Sequence, residues 1–301
     1  MPQISANGLH FEYGTFGQAT DPAVLLIMGF SAQMTMWPET LCRGLAGRGY
    51  YVIRFDNRDI GLSSHLSELG KPDLASAMAK AVTGGQVEAP YSLDDMAEDA
   101  VELLRALGVA NAHIVGASMG GMIAQLVAVR HPEATRSLIS IMSTTGRHDL
   151  PPAKSEAMAV LTTPPASSGR LDRIRAGVTV WKVIGSPGFA EPDEVLQATV
   201  VREVDRSAYD PDGIGRQMLA ILAAPPRNEL LSQLRVPALV IHGADDPLIP
   251  LAAGHDTAAA IPGAELVVVP GMGHGFESTL VPVYLEQIGD FIASVEQRAR
   301  S

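Results

Sequence analysis

The chain carries one cysteine, Cys42, among 301 residues, so no disulfide can form within it and a disulfide-stapled fold is excluded. Cys42 follows Trp37 in a helical pattern and is expected to be a small buried apolar residue. No apolar run approaches the ~20 residues that a membrane-spanning helix needs. Residues 1–7 are polar, unlike the basic-then-apolar leader of a secreted protein. A cytoplasmic protein with no membrane partner is the expectation. Positive charge is scarce as well: 22 Lys and Arg stand against 33 Asp and Glu, a net charge of −11. With no Lys/Arg cluster, nothing in the chain suits a nucleic-acid backbone or an anionic lipid surface. His10, His65, His113, His131, His148, His242 and His255 show no metal-ligand spacing, and no Cys/His cluster accompanies them, so neither a metal nor a cofactor is expected. Internal repeats and low-complexity segments are missing too.

What is present is material for a core. Hydrophobic residues make up 47 % of the chain and charged residues 18 %, which argues against disorder. The length suits one large α/β domain with an insertion, or two small domains. Residues 9–13 alternate apolar and polar, as an exposed antiparallel strand does. Apolar runs at 23–28, 50–55, 112–115, 137–142, 238–242 and 265–269 read as parallel strands buried on both faces. Helical patterns at 38–46, 74–82, 92–107, 122–131, 251–261 and 281–298 are interspersed with them. Ser92 is a good N-cap with Asp95 three residues on, and positions 93, 96, 97, 100, 101, 103, 104 and 107 make one apolar face. Such alternation predicts a parallel sheet with helices on both faces. It stops after residue 146. Helices alone are predicted at 153–161, 171–184, 193–204 and 211–223. The expected organisation is a core of residues 1–146 and 227–301, with 147–226 inserted as a helical cap.

The chemistry centres on Gly116-Ala117-Ser118-Met119-Gly120, a G-x-S-x-G frame between a strand and a helix. Such a turn strains its central serine and pushes the hydroxyl out at the top of a sheet. Glycine is expected at 116 and 120 because a Cβ there would strike the neighbouring strand or helix. A serine hydroxyl is a weak nucleophile and needs a base. Catalytic groups of open α/β sheets gather at the carboxyl ends of strands, and of the eight histidines His274, in a glycine-rich loop after the strand at 265–269, fits best. A carboxylate must orient that base, and the loop after the preceding strand offers Asp245 and Asp246. Residues 143–145, after the strand at 137–142, offer no carboxylate. The order serine, acid, histidine follows either way. For the developing oxyanion, the donors expected are the N–H of Met119 and, from the early loop Gly29-Phe30, the N–H of Phe30.

These residues resemble the α/β-hydrolase fold superfamily over nearly the whole length. Leu26-Ile27-Met28-Gly29-Phe30, Trp37-Pro38, Asp56-Asn57-Arg58-Asp59-Ile60-Gly61, the Ser118 frame, Trp181-Lys182-Val183-Ile184-Gly185-Ser186 and Pro270-Gly271-Met272-Gly273-His274 look like its aclacinomycin methylesterase-like branch. The resemblance implies a mostly parallel eight-stranded sheet with helices on both faces and an inserted helical cap. Its Gly-x-x-Asp-x-x-x-Pro pattern falls on Gly243, Asp246 and Pro250, which selects Asp246 as the acid and leaves Asp245 a loop residue. Met28-Gly29 stands where many members carry His-Gly, and the backbone donor survives that change.

The expected activity is hydrolysis of a small to medium, fairly hydrophobic carboxylic ester, a methyl ester among the candidates, through Ser118, His274 and Asp246. Gly29, Trp181 and Met218 are candidate substrate contacts. Phe189, Leu219 and Met122 could line a pocket or fill the core, and Asp56, Arg58 and Asp59 are expected to hold loops together by ion pairs. The same triad could instead open a lactone such as an acyl-homoserine lactone, or cleave an amide or a carbon–carbon bond, or run cofactor-free perhydrolysis. A dehalogenase or epoxide hydrolase of this fold would need Asp at 118. A ligand receptor with vestigial chemistry is the reading from another class. The partner is a small-molecule ester, and the assembly a monomer or homodimer.

Overall fold

The computed structural model describes residues 2–300. Eight strands form one sheet: β1 (Gln3–Ala6), β2 (Leu9–Phe16), β3 (Ala23–Ile27), β4 (Tyr51–Phe55), β5 (Ala112–Ala117), β6 (Thr135–Ile141), β7 (Ala238–Gly243) and β8 (Glu265–Val269). Their spatial order is β1-β2-β4-β3-β5-β6-β7-β8. The first two strands run antiparallel to their neighbours, and all later pairings are parallel. Strand order reverses between β3 and β5, so the loops leaving those two strands part to opposite faces and open a crevice at their carboxyl ends. The early edge strand β1 was not anticipated. Only Ala6 of its four residues is buried, so no apolar pattern marks it.

The sheet is buried on both sides, and successive residues of β3 show how. Ala23, Leu25 and Ile27 pack into one hydrophobic cluster, Val24 and Leu26 into the other, the period of two that a pleated strand dictates. Helices α1 (Glu39–Gly47), α2 (Leu74–Val82), α3 (Leu93–Ala106) and α4 (Met119–Arg130) follow the early strands. A capping box, with Ser92 and Asp95 exchanging bonds, opens α3. Helix α4 starts three residues before the position its apolar pattern suggested. It is buried from Met119 to Ala128, and a helix surrounded by protein shows no amphipathic period to read.

Between β6 and β7 there is no strand. Five α-helices lie in the interval, and the first four are α5 (Ser155–Thr162), α6 (Arg170–Ile184), α7 (Asp193–Arg206) and α8 (Pro211–Ala223). Asp210 caps α8 by accepting the Gly213 N–H at 2.9 Å. The chain then makes α9 (Asn228–Leu231), α10 (Leu251–Ala260) and α11 (Val281–Arg300). Helices α3 and α4 cover one face of the sheet, α1 and α11 the other. The short α9 went unforeseen, as four residues carry too little pattern.

The segment after β4 ties these layers together. Arg58 forks onto Asp99 of α3 at 2.6 and 2.7 Å. Asp59 holds Arg216 of α8 through two bonds of 2.9 and 2.8 Å. Asp56 takes Arg206 of α7 at 2.7 Å. The structural role expected of this Asp-x-Arg stretch is what the ion pairs show. Cys42 is fully buried, and burial pushes its thiol up to about 11. Among the described residues, no helix is long and apolar enough to cross a membrane.

Candidate active site

Ser118 sits between β5 and α4 with φ 56° and ψ −121°. An L-residue held there costs about 1–3 kcal/mol and persists only if its surroundings over-determine it. They do. Its N–H donates to the Ile141 carbonyl at 3.0 Å, and its own carbonyl accepts from the N–H groups of Gly121 and Met122. The Ser143 hydroxyl donates to that carbonyl at 2.7 Å. The flanking glycines behave as the sequence suggested. A Cβ at Gly116 would lie 2.0 Å from the Gly120 carbonyl oxygen, and one at Gly120 would lie 2.1 Å from that of Ile27.

His274 Nδ1 lies 2.7 Å from Asp246 Oδ2, and its Nε2 lies 3.0 Å from Ser118 Oγ. The other oxygen of Asp246 accepts from the Leu248 and Ile249 N–H groups at 2.9 and 2.8 Å. A carboxylate only accepts, so the ring proton sits on Nδ1 and Nε2 is left as an acceptor facing the Ser118 hydroxyl. Asp245 is elsewhere, accepting the Gly271 N–H at 2.9 Å. Ser118 and His274 face one cavity, and Asp246 lies behind His274, 5 % exposed. Among the described residues, neither the Phe30 nor the Met119 N–H has a protein acceptor, and both residues line the same cavity.

The loop bearing His274 does not rest on the sheet alone. Its N–H donates to the Ile184 carbonyl at 2.7 Å, and Gly188 N–H donates to Gly271 at 2.8 Å. Glu277 accepts both the N–H and the hydroxyl of Ser186, at 2.6 and 2.8 Å, and Ser186 Oγ accepts the Gly273 N–H at 3.0 Å. A Cβ at Gly273 would lie 2.2 Å from the Gly185 carbonyl. Gly271 and Gly273 therefore admit the turn after α6, while the same loop also lies against Gly243 at the end of β7.

The cavity has a volume of about 650 Å³, within the range of small-molecule sites. Gly29, Trp181, Met218 and Met122 line it; Phe189 packs on the core and Leu219 in a satellite cluster. Eight methionines contribute to the wall, and their unbranched, polarisable side chains let such a wall adapt to irregular apolar shapes. Several supporting residues escaped the sequence reading. Ser143 is one: the loop after β6 offers no carboxylate, but it does offer this hydroxyl. Gln217 of α8 is another: its side-chain oxygen accepts the Ser31 N–H at 3.0 Å, while its amide donates to the Arg58 carbonyl. Asn57 donates to the Met28 carbonyl at 2.9 Å. Ser143 and Gln217 belong to no short motif; Asn57 lies in the stretch after β4, but its amide had no role assigned.

Behind the acid, His242 is fully buried. Its Nε2 donates to the Ile249 carbonyl at 2.8 Å, and its Nδ1 has no partner. Burial, aided by His274 and His255, holds its pKa below the ordinary 6.5, against the opposing pull of Ile249 and Asp246. The unfolded chain therefore takes up a proton, as pH falls through the usual histidine range, that the folded one refuses. Stability should fall with that pH. In His242→Gln the loss of melting temperature between pH 7 and 5 is expected to be smaller than in the wild type. Equal slopes would remove this role. Asp59, His65 and Asp210 also group closely enough to suggest a cation. The Arg216 guanidinium already supplies it, 2.8 Å from Asp59 and 3.7 Å from Asp210.

A nucleophile elbow at the carboxyl edge of a parallel sheet, facing an apolar cavity, defines the class. The alpha/beta hydrolase fold family matches residues 22–190, and a TAP-like protein family matches 220–284. The chain belongs to the alpha/beta hydrolase fold family. It is 28 % identical over 279 residues to rhodomycin D methylesterase DauP of Streptomyces sp. (strain C5), covering 86 % of each chain. It is 25 % identical over 251 residues to 3-oxoadipate enol-lactonase 2 of Acinetobacter baylyi, covering 83 % of this chain and 81 % of that one. The enol-lactonase of Burkholderia xenovorans LB400 superposes with a TM-score of 0.74 at 20 % identity, over 97 % of this chain and all of that one.

Proposed function

We propose that the protein is a serine carboxylic-ester hydrolase acting on a fairly hydrophobic ester of small to medium size, methyl esters included. The observation that carries this reading is the unbroken hydrogen-bonded line from Asp246 through His274 to Ser118, ending at an apolar cavity. Ser118 Oγ attacks the ester carbonyl as His274 Nε2 takes its proton. The N–H groups of Phe30 and Met119 receive the oxyanion. His274 then protonates the departing alcohol, and the acyl group stays on Ser118. Water attacks the acyl-enzyme with His274 again as base, releasing the acid and restoring the serine. Asp246 keeps the imidazole in the tautomer this needs. Residues 147–226 act as the cap over a core of 1–146 and 227–301, with Trp181 and Met218 touching substrate from above and Gly29 from below.

A lactone is a cyclic ester and can follow the same course; the enol-lactonase named above is a relative of that kind. A serine-directed phosphonate should add once, at Ser118, by peptide mass spectrometry, and should block turnover of a p-nitrophenyl and methyl ester panel. A panel of lactones run beside it ranks the two bond geometries. Labelling elsewhere, or full turnover by labelled protein, overturns the reading.

A further inference from the structure

The loop after β3 carries a backbone outlier. Ser31 has a φ of 56°, a region that residues other than glycine rarely adopt. The Ala32 N–H donates to the Gly29 carbonyl at 3.4 Å, which closes a four-residue turn with Ser31 in its third place. Ser31 is the one residue of that turn with a positive φ, as in a type II turn, where glycine or asparagine usually takes the third place. Serine is strained there, and such strain persists only where the surroundings hold it. Phe30, whose N–H faces the oxyanion in the mechanism above, is the residue before it. The turn also lies hard against the nucleophile. A Cβ at Gly29 would stand 3.0 Å from Ser118 Cβ and 3.1 Å from the Ala117 carbonyl oxygen.

The two ends of this loop are held by the segment after β4. Asn57 Nδ2 donates to the Met28 carbonyl at 2.9 Å, and Asp56 Oδ1 accepts the Met34 N–H at 2.7 Å. The strained middle is held from the other side, by α8. Gln217 is fully buried. Its Oε1 accepts the Ser31 N–H at 3.0 Å, and its Nε2 donates to the Arg58 carbonyl at 2.8 Å. Exchanging that oxygen and nitrogen would set donor against donor and acceptor against acceptor, so the amide has one orientation. Its base is fixed as well, because the residue before it, Arg216, is the one forked onto Asp59.

Resting on the ester-hydrolase reading, we propose that Gln217 is a positioning residue for the oxyanion site. By holding the Ser31 N–H it keeps the turn at 29–32 in its strained form, and so keeps the Phe30 N–H aimed beside Ser118. It touches no reacting atom itself. Without its bond, Ser31 relaxes out of the left-handed region and Phe30 shifts with it. Placement matters because an oxyanion donor acts at about 2.7–3.1 Å from the developing charge, and a misplacement of about 1 Å can cost roughly hundredfold. The charge exists in the transition state and not in the bound ester, so the loss falls on kcat rather than KM.

The test compares the wild type with Gln217→Leu, which removes both bonds, and with Gln217→Glu. On a p-nitrophenyl ester, Gln217→Leu is expected to lower kcat roughly ten- to hundredfold with KM within about twofold. A second readout is a ratio of two affinities, for a trifluoromethyl ketone and for the plain methyl ketone of the same chain. Ser118 Oγ bonds to the carbon of the first, its proton passes to His274, and the carbonyl electron pair stays on oxygen as an alkoxide. The second binds without that charge, so a smaller folded fraction or a poorer cavity cancels. The ratio should fall with kcat in Gln217→Leu. It should stay higher in Gln217→Glu, whose carboxyl offers an oxygen to Ser31 and, protonated, a donor to the Arg58 carbonyl. Deuterium exchange into residues 29–32 should quicken at least roughly tenfold in Gln217→Leu, with β5 as protected as before. An unchanged ratio in Gln217→Leu, equal ratios in the two variants, a raised KM at constant kcat, or unchanged exchange at 29–32 overturns the proposal. Ester turnover by the wild type together with an unchanged ratio in Gln217→Leu sinks this inference alone. A wild type inert to the esters and to the trifluoromethyl ketone sinks the hydrolase reading instead, and exchange at 29–32 then decides whether Gln217 holds the turn.

Discussion

Ser118→Ala is expected to lower kcat for a p-nitrophenyl ester by roughly ten-thousand- to million-fold, with KM little changed. The loss is that large because no other hydroxyl can take over. The attacking oxygen must stand 3.0 Å from His274 Nε2 and beside the Phe30 and Met119 N–H groups at once. Only the residue at the strained turn occupies that point. Alanine at 118 keeps the backbone donors, so a residual rate above that of water is expected from the oxyanion site and binding alone. The variant should also bind a non-reactive ester as the wild type does. Retention of even a tenth of wild-type kcat would mean that the line from Asp246 to Ser118 is not the reacting group.

Asp59→Leu is expected to destabilise the protein by about 3–5 kcal/mol, read as a fall in the urea midpoint. Asp59 and Arg216 are buried to within 1 % of full, and the pair exchanges two bonds. Burial raises the Asp59 pKa, but the Arg216 bond, the Leu66 N–H and Tyr91 more than offset it, so the net displacement is downward. Removing the carboxylate leaves a guanidinium enclosed, with the Gly70 carbonyl as its remaining partner within hydrogen-bond distance. Adding Arg216→Met should restore most of the stability, since an apolar pair of similar volume meets no desolvation penalty. If the double variant is no more stable than Asp59→Leu, the loss belongs to the backbone around Asp59, whose φ is 65°. The Leu66 N–H, which also depends on this carboxylate at 2.7 Å, would then be the prime suspect.

Much of the fold was legible because the parallel strands are mostly apolar and many of the turns between elements carry glycine or proline. The central residues were legible for a related reason. Ser118, Asp246 and His274 each follow a strand end within a short motif, and strand ends converge. What escaped was set by tertiary placement. Ser143 and Gln217 act on backbone groups 25 and 186 residues away in the chain, a relation that no pattern of neighbours encodes. The true start of α4 was hidden by burial on all sides. The closeness of the 270–275 loop to the turn after α6 is likewise a contact between two segments that each look like ordinary connectors.

On the proposed reading, that last contact makes roof and proton acceptor travel together. The backbone N–H of His274 is held by the Ile184 carbonyl, and the Ser186–Glu277 clasp locks the strap that carries the imidazole. Were α6 and α7 to swing outward to admit a guest, the strap would go with them, and Ser118 would lose its base for as long as the entrance stood wide. Reactivity would return only once the roof had come down over something. The enzyme would thus be disarmed while open and armed when shut, with no separate sensor needed to tell it which state it is in.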